Sequence, residues 1–215
     1  EQVEGWRRVA GAVHAEGGRI VAQVMHSGRV THPETNGGRE VVAPSAIAID
    51  GQTRTYTGKY PLPVPRALET AELPAGIEEF VQASRNAIEA GMDGDELHSA
   101  NGYLLHEFLS PASNQRTDGY GGSPANRARF VIETAAAVAE AVGAGRMGIR
   151  ISPEHNIQDA LETDPEDVLA TYGALVDGLA PLGLAYLSIL HQDPAGTLVQ
   201  QLRTRFGGKV LVNSG

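Results

Sequence analysis

Short apolar, β-branched runs alternate along the chain with longer amphipathic segments, the rhythm of βα units about a parallel sheet. The runs are Arg19–Met25 (RIVAQVM), Gly94–His98 (GDELH), Met147–Ile151 (MGIRI), Ala185–Leu190 (AYLSIL) and Lys209–Val212 (KVLV). Five short strands are therefore expected, each preceded by a helical stretch. The first helix is placed at Trp6–Glu16 and ends at Gly17-Gly18, residues that tolerate the positive φ of a helix C-terminus. Ser123-Pro124 and Asp164-Pro165 each set a capping side chain before a proline suited to the first helical position, and Glu166-Asp167 complements the helix dipole. Another helix is expected to begin near Ile77.

Between the first strand and that helix lies Thr31–Ala75, roughly 45 residues rich in Gly, Pro and Thr. A plain βα connection takes ~2–6 residues, so 31–75 reads as an inserted loop or lid on one domain spanning 1–215. The βα rhythm fits either a doubly wound sheet or a (βα)8 barrel, and a closed barrel takes ~250 residues. With about five units, and with a chain that starts inside a helix and stops just after a strand, truncation at both ends is expected.

Composition narrows the functional classes. A chain of 215 residues that is 41% apolar can bury a core and reads as globular. The net charge of -9 is unsuited to phosphate backbones or anionic headgroups, and the Lys and Arg residues are scattered, so no nucleic-acid or membrane partner is expected. Without cysteine there is no disulfide, thiolate zinc site, iron–sulfur cluster or cysteine nucleophile within this segment. No run approaches the ~20 apolar residues of a membrane span, and EQVEGWRRVAG lacks a signal-peptide layout, so a cytoplasmic protein is expected.

Function in βα folds gathers at the C-terminal ends of strands. After Leu97 come His98-Ser99-Ala100-Asn101-Gly102-Tyr103, three hydrogen-bonding side chains within one strand exit. A lone histidine there could as well be a structural hydrogen-bonder; the cluster favours chemistry. Met25-His26-Ser27-Gly28-Arg29 forms a second polar exit, and Arg150 lies inside an apolar strand, where a buried guanidinium needs an anionic or electron-rich partner. His26, His32, His106, His155 and His191 read as surface or structural groups, and Glu107, Asn114, Arg116, Arg127 and Arg129 as residues that fix loops. A metal site built on His98, Glu96 and His191 lacks recognisable ligand spacing, so no metal is expected.

The stretches QVMHSGRVTHP, PVPRALETAEL, AGMDGDELHSANGYLLHEFLSPASNQRTDGYGGSPANRARF and GIRISP occur in order, and together they resemble the successive signatures of the Old Yellow Enzyme family. The central stretch, with H-x-x-N-G-Y-L-L and S-P-x-x-N-x-R-x-D-x-Y-G-G-S, is the specific one. This resemblance implies a (βα)8 barrel, here lacking its first and last strands, that holds non-covalent FMN at the strand C-termini. It implies hydride transfer from NADPH or NADH through the flavin to an electron-poor alkene, in a monomer or homodimer.

By the same resemblance, His98 and Asn101 would donate to a carbonyl or nitro oxygen of the substrate, an oxyanion-type stabilisation. Tyr103 would protonate the α-carbon, since a phenol of pKa ~10 keeps its proton at neutral pH; its alternative role is aromatic packing. Gln23 matches the glutamine whose amide donates to and accepts from the flavin pyrimidine edge, and Arg150 the arginine beside that edge, with a barrel salt bridge as its alternative. Gln158 falls where some relatives line the substrate pocket.

Two residues depart from the family pattern. Met25 stands where the His/Asn subgroup carries tryptophan, which predicts a softer, smaller wall to the substrate pocket. Asp95 stands where relatives are apolar, and strand alternation turns it toward the helices. The segments that contact the flavin phosphate are absent, so the alternative to an ene-reductase is a truncated or decayed, non-catalytic barrel fragment that binds FMN weakly or not at all.

Overall fold

The computed structural model describes residues 1–214. Helix α1 (Gln2–Ala15) leads into strand β1 (Val21–Val24). It begins four residues before the expected Trp6, because the Gly5 N–H already reaches the Glu1 carbonyl at 3.0 Å to close a first turn. After an excursion come α2 (Leu73–Glu89), β6 (Gly94–Ser99), the short α3 (Leu104–Leu109), α4 (Pro124–Val142), β7 (Met147–Ile151), α5 (Pro165–Leu179), β8 (Tyr186–Leu190), α6 (Thr197–Phe206) and β9 (Val210–Asn213). The excursion holds β2 (Val42–Ala43), β3 (Gln52–Arg54), β4 (Lys59–Pro61) and β5 (Arg66–Ala67).

The main sheet has five parallel strands in the order β1-β6-β7-β8-β9. Each new strand adds beside the last, without the reversal of order that defines a doubly wound sheet. Alternation along the strands sorts the side chains. Leu97, Ile149, Ile151, Leu187 and Ile189 join the apolar core under the helices, whereas Glu96, His98, Arg150 and Ser188 lie on the other face. An apolar face covered by a row of helices and a polar face turned inward is the arrangement of a (βα)8 barrel, of which five strands are described.

The expected caps are in place. Ser123 accepts from the Asn126 N–H at 3.3 Å and Asp164 from the Glu166 N–H at 3.0 Å, each followed by proline. Helix α2 starts at Leu73, not near Ile77, because Glu69 and Glu72 form a reciprocal capping box just ahead of it and Pro74 fits its first turn. Phe108 stacks on Phe130 with ring centroids 4.3 Å apart, fastening α3 to α4. Fully burying such a side chain contributes ~1.5–3 kcal/mol.

The excursion is more ordered than a single loop, and its last three expected residues belong to α2. β2 pairs with β5 in parallel and β3 with β4 in antiparallel. Side chains sew it to the loops that follow β6 and β7. Arg116 donates to the Pro44 carbonyl at 3.1 Å and to that of Leu68, the Gln115 N–H reaches Ser45 Oγ at 2.9 Å, and the Asp50 N–H reaches Asp159 at 2.8 Å. Arg29, buried, donates to the carbonyls of Ile47 and Gln158, both at 3.1 Å. Among the described residues no helix is long and apolar enough to cross a membrane.

Candidate functional site

Register aligns the polar residues of the inner face. Gln23 lies opposite Glu96, while His98 lies opposite Arg150 and Arg150 opposite Ser188. His98 is buried, yet among the described residues neither ring nitrogen has a hydrogen-bond partner. Burial first, then the positive charge of Arg150, push its pKa down to about 4. At neutral pH the ring is therefore uncharged and offers one N–H and one lone pair.

The chain then turns sharply through Asn101 (φ 57°) and Gly102 (φ 75°), both left-handed. Asparagine tolerates this conformation; at Gly102 a side chain is excluded twice over, because a Cβ would stand 2.8 Å from both the Gln158 Cβ and the Ile157 carbonyl. The turn is gripped from outside. The Asn101 N–H donates to Ser152 Oγ at 2.8 Å, Gln158 Nε2 donates to the Asn101 carbonyl at 2.8 Å, and the Gly102 N–H donates to His106 Nδ1 at 2.8 Å. The side-chain Oδ1 of Asn101 is buried without a partner among the described residues. Tyr103 follows as the residue capping α3, its ring centroid 5.4 Å from that of His98. His98, Asn101, Tyr103 and Gln158 thus converge at one strand exit, with Arg150 beside His98.

Arg150 is half-buried, less enclosed than the sequence suggests. It reaches Ser188 Oγ at 3.2 Å and Asn213 Oδ1 at 3.4 Å, and among the described residues no carboxylate pairs with it. Gln23 Nε2 donates to Glu96 Oε1 at 2.5 Å. An amide with both donor and acceptor capacity and an unneutralised guanidinium, both projecting from the inner face, fit the pyrimidine edge of a flavin. Gln23 and Met25 also line a groove along β1 with Trp6, Val21, Ala87 and Met92. Met25 is about half exposed and forms a rim, not a wall.

Buried polar groups support the site from behind. The carboxyl of Glu107 accepts from the Arg29 N–H at 2.9 Å, and burial pushes its pKa up to about 8 against the nearby Arg29 charge. Gly28 (φ 56°) packs so closely that a Cβ would collide with this carboxyl. Asn114 donates to the carbonyls of Phe108 and Tyr120, and Arg127 to that of Leu109 and to Asp167 and Thr171. Sequence reasoning did not single out Ser152, Glu162 or Tyr172, which hold the turn; the serine of GIRISP was the one available signal. His106, expected to be structural, is buried against that turn. Among the described residues no three His, Cys, Asp or Glu side chains cluster as metal ligands. Asp95 faces the helices as expected but is not alone, since Ser84 Oγ donates to it at 2.5 Å.

The sequence profile of the NADH:flavin oxidoreductase / NADH oxidase family matches residues 1–196. A protein of Leishmania infantum named "Probable flavin mononucleotide-dependent alkene reductase" is 43% identical over 199 residues, covering 90% of this chain and 54% of that protein. The solved old yellow enzyme homologue from Zymomonas mobilis superposes with a TM-score of 0.92 at 35% identity, over 100% of this chain and 61% of its own. Morphinone reductase in complex with tetrahydroNAD superposes with a TM-score of 0.89 at 40% identity, over 98% of this chain and 60% of its own. The chain spans about half the length of the curated relatives it matches.

Proposed function

Since the chain belongs to the NADH:flavin oxidoreductase / NADH oxidase family, we propose that it carries the alkene-activating side of an FMN-dependent ene-reductase that draws hydride from NADPH or NADH. The observation that carries this reading is His98, whose two ring nitrogens are buried and unpartnered. A buried polar atom left unpaired costs ~1–3 kcal/mol, a cost that a bound acceptor would offset.

Gln23 and Arg150 would hold FMN at its pyrimidine edge. When bound, FMN supplies the hydride. His98, kept neutral by burial, donates one N–H to the carbonyl or nitro oxygen of the substrate, and Nδ2 of Asn101 donates a second. Together they draw electron density from the alkene toward that oxygen as its β-carbon accepts hydride. Tyr103 sits beside His98 with its hydroxyl available to protonate the α-carbon. Gln158, tied to the Asn101 carbonyl, shapes the pocket edge, and Met25 gives it an adaptable rim.

The test is spectroscopic. FMN-loaded protein is bleached anaerobically with NADPH or NADH and then given 2-cyclohexenone. Return of the flavin band on adding the enone supports the reading; a band that returns only with oxygen overturns it.

A further inference from the structure

The peptide group joining Asn101 to Gly102 is clamped at both ends. Its carbonyl accepts from Gln158 Nε2 at 2.8 Å, and its N–H donates to His106 Nδ1 at 2.8 Å. Because Nδ1 accepts, the ring hydrogen resides on Nε2, which faces Glu162 Oε1 at 3.2 Å. Glu162 is itself fixed: the Tyr172 hydroxyl donates to Oε1 at 2.8 Å and the Glu154 N–H to Oε2 at 2.8 Å. Its own N–H donates to Asn156 Oδ1 at 2.6 Å. His106, Glu162 and Tyr172 are all buried.

This network ends on one backbone N–H between two left-handed residues, one of which bears a side chain. Loss of that clamp would free ψ of Asn101 and φ of Gly102, the two torsions that set how the Asn101 side chain and the start of α3 stand relative to β6. We propose that His106, seated on Glu162 and Tyr172, is the positioning residue that locks the Asn101–Gly102 peptide and so aims Asn101 and Tyr103 at the substrate. The inference rests on the function proposed above. Glu162 orients the imidazole, in the way a carboxylate behind a histidine commonly sets its tautomer.

The test uses His106→Leu, which removes both bonds, His106→Asn, whose amide oxygen can still accept from Gly102, and Glu162→Gln, which leaves the imidazole in place. All are read in the FMN-loaded protein by amide exchange at Gly102 and by the rates of flavin reduction and of reoxidation by enone. His106→Leu is expected to speed Gly102 exchange and to slow reoxidation by enone about tenfold to a hundredfold, the scale of a 1 Å misplacement. His106→Asn should recover most of that rate, and Glu162→Gln should lose less than His106→Leu. In a Tyr103→Phe background the loss from His106→Leu should shrink several-fold, because the group being aimed is already gone. An equal loss in both backgrounds, or unchanged Gly102 exchange in folded variants, overturns the inference. If His106→Leu does not fold, the other two variants decide. If the unsubstituted protein is not reoxidised by enone, the proposed function fails, and Gly102 exchange alone judges the clamp.

Discussion

The rings of His98 and Tyr103 lie 5.4 Å apart, centroid to centroid, with their planes inclined by 54°. One belongs to the end of β6 and the other caps α3, so the distance between them is set by the left-handed turn at Asn101 and Gly102. The proposed hydrogen-bond donor and the proposed proton source are thereby held on one short piece of backbone.

Replacing Tyr103 with Phe removes the proposed proton source and keeps the ring. Reoxidation of the FMN-loaded protein by 2-cyclohexenone should slow by about 10²- to 10⁴-fold, the usual contribution of a positioned acid, while reduction by NADPH changes little. Stopped-flow measurement of the two half-reactions checks this, and equal losses in both would contradict it.

His98 should not titrate in the physiological range. Its folded pKa of about 4 lies below the ordinary 6.5, so between those values the unfolded chain binds the extra proton. This contribution to stability is complete above pH 6.5 and is lost as pH falls toward 4. Urea midpoints across that window should fall less steeply for His98→Gln than for the unsubstituted protein. Reoxidation by enone should show no inflection near pH 6.5 assignable to His98.

Glu107 carries the opposite sign. Burial raises its pKa from 4.5 to about 8, so the folded state holds the extra proton between those values, and its contribution is lost as pH rises through 8. Glutamine mimics the protonated acid. Glu107→Gln should therefore be near-neutral at pH 5 and stabilising by about 1–3 kcal/mol at pH 9, read from urea unfolding at the two pH values.

Asp95 is buried against the helices, and among the described residues Ser84 is its single side-chain partner and its Oδ1 has none; burial lifts its pKa to about 6. Above that pH the folded protein bears a buried charge. The pair Asp95→Val with Ser84→Ala removes both polar groups and should raise stability at pH 7 by about 1–3 kcal/mol. Asp95→Val alone should gain less, since it strands the Ser84 hydroxyl. A pair variant less stable than the parent would refute this account.

Strands and caps were legible because their signals are local. Met147–Ile151 is found as expected, and Ser123 and Asp164 cap as their following prolines imply. The choice between barrel and doubly wound sheet was not legible from periodicity, because both share the βα rhythm; strand order and the helix-covered face decide it. The start of α2 was missed because a capping box by two glutamates lacks the usual Ser or Thr signal. The His98, Asn101 and Tyr103 cluster was legible because it is contiguous. Its support was not, since Glu162 is 56 residues from His106 and meets it only through the fold.

The guanidinium of Arg29 ends on carbonyls of two other loops, one of them 129 residues away. For protein engineering this makes the loops around the pocket a linked cassette. Grafting the 31–75 segment from a relative into this scaffold would disturb the Gln158 loop unless both seats of Arg29 travel with it. The two segments, residues 25–72 and 152–163, would then be exchanged most cleanly together.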